Sequence, residues 1–244
     1  DASDLRAGSL GYGLATRGLK ADGYAVRSLN LLRESGIPDD ASALVIAAPQ
    51  SEMTDAELSA VIDWLAAGGR GVLLLEPGDG SRETTRSLLA TWGLVQAPGT
   101  IVDPARSAAS DPRTLVVQRD QYRSDTSITQ GGTIVEPLGS TLLPGASAIR
   151  PLPEVQERLT DGEPVPVRYG PIFDSSRESW VSGNPDGDEF DESSDEPGPH
   201  TLSLVVQAAD TITRAPTADY EANRAQTRLV VFGDADFASN RHFG

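Results

Sequence analysis

Three short polar clusters each follow an apolar run, and they hold the residues whose types and spacing could do chemistry. Gly233-Asp234-Ala235-Asp236-Phe237-Ala238-Ser239-Asn240 follows Leu229-Val230-Val231-Phe232. Glu76-Pro77 follows a run over 71–75, and Pro49-Gln50-Ser51 follows another over 43–48. Runs that short and that apolar suit strands covered on both faces, as in a parallel sheet. Ligands bind beyond the carboxyl ends of such strands, so Gln50, Ser51, Glu76, Asp234, Asp236 and Asn240 form a candidate binding crevice. A carboxylate pair such as Glu76 and Asp234 could do acid–base work. Ser51 could be a nucleophile, but no Gly-x-Ser-x-Gly elbow surrounds it and no His follows nearby. The commoner role for these residue types is structural. Gly233 lets the chain leave the strand, and Asp234 or Asp236 caps a following helix. On that reading Asp234, Asp236 and Asn240 hold the turn and bind no metal, and Phe237 packs back under the sheet.

Composition narrows the chemistry. The 244 residues carry a formal net charge of −16, which argues against a nucleic-acid backbone or an anionic membrane surface as the main partner. Cysteine is absent, which removes disulfides, thiolate nucleophiles and thiolate metal sites together. The two histidines, His200 and His242, are too few for a His-rich zinc site. No apolar run approaches the roughly 20 residues of a membrane span.

The elements that must position the clusters alternate. Leucines 5, 10, 14 and 19 lie at roughly helical spacing, weakened by glycines, and Gly23 is a helix stop. Residues 24–29 read as a strand, 43–48 as a second and 71–75 as a third. Thr54 with Glu57 is a capping box for a helix over 55–67, whose inner face is Leu58, Val61, Ile62 and Leu65. A second helix spans 84–92, with Leu88, Leu89 and Trp92 inward. Strand–helix alternation with short turns implies a parallel sheet with helices on its faces. After Val102-Asp103-Pro104 the chain becomes rich in Pro and Gly, with short β-like pieces at 114–117, 133–135, 148–152, 165–167 and 201–208, read as an elaboration on the same sheet, partly antiparallel, and not as a second domain. Residues 215–226 are polar and read as a connection or short helix before the final strand.

Other constellations are weaker. The acidic loop 183–199 should be exposed, and Asp186, Asp188 and Asp191 could bind calcium. Counting from Asp186, however, Asp191 stands where an EF-hand needs Gly, and Pro197 where it needs Glu. Gly8-x-x-Gly11-x-Gly13 does not follow a strand, and Gly78-Asp79-Gly80 lacks the Lys of a nucleotide loop. No cofactor is expected. Trp180 beside the acidic loop could be a binding aromatic, but core or loop-anchoring packing is the commoner role.

Taken in order, several pieces resemble one family. They are Gly23-Tyr24; Ile37-Pro38-Asp39-Asp40 before Leu44-Val45-Ile46-Ala47-Ala48-Pro49; Trp64 to Gly69; Leu73-Leu74-Leu75-Glu76-Pro77; Gly93-Leu94; Val102-Asp103-Pro104; Ser179-Trp180; Gly198-Pro199; and the closing Gly233-Asp234-Ala235-Asp236-Phe237-Ala238-Ser239-Asn240. This order resembles the GldG-like auxiliary proteins of ABC-type transport systems, known from gliding-motility machinery. The resemblance implies a class I glutamine amidotransferase-like domain, a fold unit shared with an intraflagellar-transport component, and an extracytoplasmic placement beside transmembrane segments. It also implies permease and ATPase subunits as partners. Members often carry His-Pro-Ile-Thr mid-chain where this sequence reads Thr126-Ser127-Ile128-Thr129, so no role of that His carries over. The amidotransferase Cys has no counterpart either.

The expectations are therefore these. The fold is one α/β domain over 1–244, flavodoxin- or glutamine amidotransferase-like. A mainly parallel sheet contains the runs at 24–29, 43–48, 71–75 and 229–232. A regular half at 1–100 is followed by a β-rich elaboration at 101–227 and a returning core strand and turn at 228–240. The function is a non-catalytic, extracytoplasmic auxiliary domain of an ABC-type transport system, binding a protein partner or solute and tethered by membrane segments outside these residues. The alternatives are a hydrolase of carbohydrate or ester bonds using Glu76 and Asp234, and a structural scaffold of a motility or envelope complex.

Overall fold

A computed structural model describes residues 8, 11–34, 36–108, 111–123, 139–161, 167–184, 187–208 and 228–242. The expected pieces at 133–135 and 215–226, Asp186, and Thr126-Ser127-Ile128-Thr129 lie outside those residues. The first half runs α1 (Gly13–Ala21), β1 (Leu44–Ala47), α2 (Asp55–Ala66), β2 (Arg70–Leu74), α3 (Glu83–Thr91), β3 (Leu94–Gln96) and β4 (Thr100–Val102). Then follow β5 (Ser107–Ala108), β6 (Asp111–Val117), β7 (Thr141–Pro144), β8 (Ile149–Pro151) and α4 (Pro153–Asp161). The chain closes through β9 (Val167–Asp174), β10 (Trp180–Ser182), β11 (Glu196–Pro197), β12 (Thr201–Ala208) and β13 (Arg228–Phe232).

The central sheet has five strands in the order β1-β2-β13-β12-β9. β1, β2 and β13 are parallel, with Val72 opposite Val45 on one side and Val230 on the other. β12 then pairs antiparallel with both β13 and β9. Three further sheets, β4-β10-β11, β3-β8 and β5-β6-β7, are wholly antiparallel. The mainly parallel, flavodoxin- or amidotransferase-like expectation is thus corrected. The architecture is a mixed α/β fold with several antiparallel sheets and four α-helices among the described residues. The run 24–29 forms no strand, and among the described residues β1 is left as a sheet edge. An apolar run such as 201–208 is buried whichever way its neighbours point, so its composition is silent on direction.

Local signals explain the regular elements. Thr54 Oγ1 accepts the Glu57 amide and Glu57 Oε2 accepts the Thr54 amide, the reciprocal pair of a capping box. Val61 and Leu65 face inward from α2, Leu88 and Leu89 from α3. They meet Leu73, Leu204, Leu229 and Val231 in one apolar core. A second core gathers Ile101, Leu115, Leu143, Phe173 and Leu202 beneath the antiparallel sheets. α3 has no cap of its own. The Glu52 carboxylate supplies it, accepting the Glu83 and Thr84 amides at 2.9 and 3.0 Å. Pro153 opens α4, a position where a missing N–H costs nothing.

Candidate functional site

Because β1, β2 and β13 are parallel, the three polar clusters do emerge at one edge. The structure brings Glu76, Asp234 and Asp236 together there. Glu76 Oε1 accepts the Ala235 amide at 3.0 Å. Asp79 Oδ2 accepts the Glu76 amide at 2.8 Å, and Asp79 is paired with Arg82. Asp234 is 1% exposed. Its Oδ1 accepts the Phe237 amide at 3.2 Å, while its Oδ2 is buried without a hydrogen-bond partner among the described residues. Burial, and then the charge of Asp236, pushes the Glu76 carboxyl up to about 7. Burial, and then the charge of Glu76, pushes Asp234 up to about 8. Desolvation disfavours an ionised carboxylate, and a second acid nearby disfavours it further. Half-buried Tyr12 is raised by burial first, and then by Glu76, Asp236, Asp234 and Asp79.

Two residues without a sequence signal seal this edge. Gln96 on β3 accepts the Gly80 amide at 2.5 Å and donates to the Glu76 carbonyl at 2.9 Å and to Ser147 Oγ at 2.5 Å. The Ser147 amide and hydroxyl both donate to the Gly233 carbonyl, at 2.7 and 3.1 Å. A Cβ on Gly233 would lie 1.9 Å from the Ser147 carbonyl oxygen. Gly233, at the bend where the chain leaves β13, is therefore also needed for the close approach of two backbones. Both Gln96 and Ser147 are buried polar residues, and their types alone do not distinguish them from other loop and edge residues.

The remaining crevice residues go elsewhere. Gln50 is exposed and donates to its own neighbour's carbonyl at Ala48, and Ser51 is exposed. Asn240 leaves the acidic cluster. Its Oδ1 accepts the Leu14 amide at 2.7 Å, its Nδ2 donates to the Gly8 carbonyl, and its amide donates to Gly11. The helix expected after Asp234 is a single turn, Asp236–Ala238, with Ala235 at its cap position and no side-chain cap bond there. Phe237 packs against the second core, its ring centroid 5.1 Å from that of Phe232.

The acidic loop is tied down by cations of the chain itself. Arg113 donates to Asp188 at 2.9 Å and to the Asn184 and Gly187 carbonyls. Arg150 takes both oxygens of Glu196. Trp180, 8% exposed, meets Phe190 edge-on and anchors the loop. Among the described residues no group of three or more His, Cys, Asp or Glu is placed to hold a metal ion. Asp103, Ser175, Ser176, Ser179 and His200 do converge, which suggests a hydrolytic triad. The bonds refuse it. Asp103 accepts from Ser176, the His200 backbone amide meets Ser175 Oγ, and the His200 ring faces the Glu196 carbonyl. Among the described residues no imidazole nitrogen is bonded to a serine hydroxyl, so nothing there would take its proton. The network instead joins β4, β9, β10 and β12.

Fold and edge together define a mixed α/β domain whose strand ends are latched by their own carboxylates. A family model described as an ABC-type uncharacterized transport system matches residues 8–243, and the chain belongs to that family. It is an auxiliary component of an ABC-type transport system. No curated protein matches it. Among solved structures it is similar to the "mmIFT52 N-terminal domain", at 12% identity and TM-score 0.54, over 93% of this chain and 80% of that one. That likeness concerns the fold, and it is not to a flavodoxin-like architecture. Among the described residues no helix is long and apolar enough to cross a membrane.

Proposed function

We propose that this chain is a non-catalytic, extracytoplasmic domain that docks onto the transmembrane permease of its ABC-type system, tethered by membrane segments outside these residues. The observation that carries the non-catalytic reading is the latch. Asp234 is 1% exposed and the half-buried Glu76 is bonded to the Ala235 amide, so the acid–base pair that a hydrolase would need is committed to holding the turn. The docking surface is the open edge of the central sheet. Among the described residues β1 has a neighbour on one side only, Val45 on it is 53% exposed, and Gln50 and Ser51 follow it, also exposed. An unpaired strand edge offers a row of backbone donors and acceptors to another chain. The ATPase would be reached through the permease. Within the family, the closing Gly-Asp-x-Asp-Phe-Ala-Ser-Asn supports a GldG-like member.

Purification of the full-length protein from membranes tests this reading. The permease should co-purify in stoichiometric amount, and substitution of Val45 by Arg should release it. Turnover in a broad hydrolase screen that Glu76→Gln abolishes would overturn the non-catalytic assignment.

A further inference from the structure

Helix α1 and the extended segment after it flank an open groove of about 460 Å³ on the outside of the molecule. Arg17 and Lys20 line it from the helix, one turn apart on the same face, and Arg27 lines it from the segment. Thr16 and Ser28 also line it. The chain carries a net charge of −16, and Lys20 is its one lysine. Three cations around one concavity are therefore out of keeping with the rest of the surface. Arg27 is held by Asp40 at 2.5 Å, whereas Arg17 and Lys20 have no carboxylate partner among the described residues. The place of Lys20 in the last turn of α1 suits the helix dipole and Arg27 is paired with Asp40, which leaves Arg17 unexplained.

We propose that this groove binds an organic phosphate, the phosphoryl oxygens held by Arg17, Lys20 and Arg27 and the ester group filling the remaining volume. A guanidinium fork matches the geometry of phosphate oxygens, and an ammonium adds a compact charge. The volume falls in the range of small-molecule sites, roughly 300–1,000 Å³, and exceeds what inorganic phosphate needs. Thr16 and Ser28 can each donate one further hydrogen bond. Arg27 exchanges Asp40 for the ligand. Because the cations are exposed, solvent and salt screen them, and the dissociation constant should be roughly 1 mM at low ionic strength. This site goes beyond the docking reading and does not depend on it. The shared chemistry is the phosphoryl group, whether of a free ester or of a lipid headgroup.

Amide NMR titration with glycerol 3-phosphate, at ionic strength held constant with chloride, tests the proposal. Saturable shifts should concentrate at residues 13–28, and Arg17→Ala/Lys20→Ala should weaken binding about fivefold or more. Both side chains are exposed, so this variant keeps its core. Asp40→Asn, which frees Arg27, should tighten binding. Co-sedimentation with phosphatidylglycerol vesicles but not phosphatidylcholine vesicles, lost in the double variant, would assign the phosphate to a lipid. Shifts with the soluble ester and no vesicle binding would assign it to a free ester. No saturable response to ester or vesicle beyond the chloride control, or a response that the double variant retains, overturns the proposal.

Discussion

Asn240 caps helix α1 from the far end of the chain, its Oδ1 accepting the Leu14 amide at 2.7 Å across 226 positions. α1 buries no side chain fully, and its own cap position is occupied by Tyr12, which makes no side-chain cap bond. The first helix is thus held by the last turn. Removing the acceptor with Asn240→Ala should cost about 0.5–2 kcal/mol. Hydrogen exchange should locate the loss in the first turn of α1, with the central sheet unaffected. Uniform loss across both would mean that Asn240 serves the sheet and not the helix.

Glu76 and Asp234 make stability depend on pH in an unusual direction. Their folded values, about 7 and about 8, lie above the ordinary 4.5 and 3.8. Between those limits the folded protein holds more protons than the unfolded chain, so stability falls as pH rises. The contribution is complete below about pH 4 and is lost through pH 7 to 8. Glu76 is partly open to solvent, so a loss above about 1 kcal/mol, roughly 2–4 °C in Tm, is expected between pH 5.5 and 8.5. Asp234→Asn should flatten that slope. A wild-type Tm that rises over the same window would contradict the shifts.

Gly233→Ala places a methyl group 1.9 Å from the Ser147 carbonyl, where backbone must move to admit it. Crowding of that kind costs about 1–3 kcal/mol. The hydrogen bonds from Ser147 to Gly233 and from Gln96 to Ser147 should weaken with it. Urea melts measure the loss. A variant as stable as the wild type would show that the two segments are not in close contact.

Phe237→Ala should destabilise more than the loss of a cap, by about 3 kcal/mol, the lower end for a phenylalanine because this one is only partly buried. EDTA and added calcium should leave Tm unchanged in this variant and in the wild type. A wild-type Tm that falls with EDTA and returns with calcium would show that the acidic residues of the turn are ligands.

The sequence is a good guide where a signal is local. Thr54 and Glu57 form the expected capping box, and the runs at 43–48, 71–75 and 229–232 become strands within a residue or two at their ends. It is a poor guide where a pairing is distant. Residues 24–29 have strand-like composition yet make no ladder, because a strand exists only through its neighbour. β12 is as apolar as a parallel strand but runs antiparallel between β13 and β9. At the site, three strand ends and the meeting of Glu76 with the Asp234 turn follow from parallel pairing of apolar runs. Gln96, Ser147 and the reach of Asn240 to Leu14 do not. Each is a single polar residue whose partner lies 51, 86 or 226 positions away. Pieces of the family resemblance distant in sequence also become neighbours, since β10 pairs with both β4 and β11, bringing Trp180 against Val102 and Pro197.

The auxiliary role is tested most directly by photocrosslinking in cells that carry the full-length protein and its transport system. A photoreactive residue at Val45, on the open edge of the central sheet, should yield one major adduct with the permease, and the same residue at Asp188, on the acidic loop, should not. Adducts at Asp188 and none at Val45, with transport intact, would contradict docking through the sheet edge.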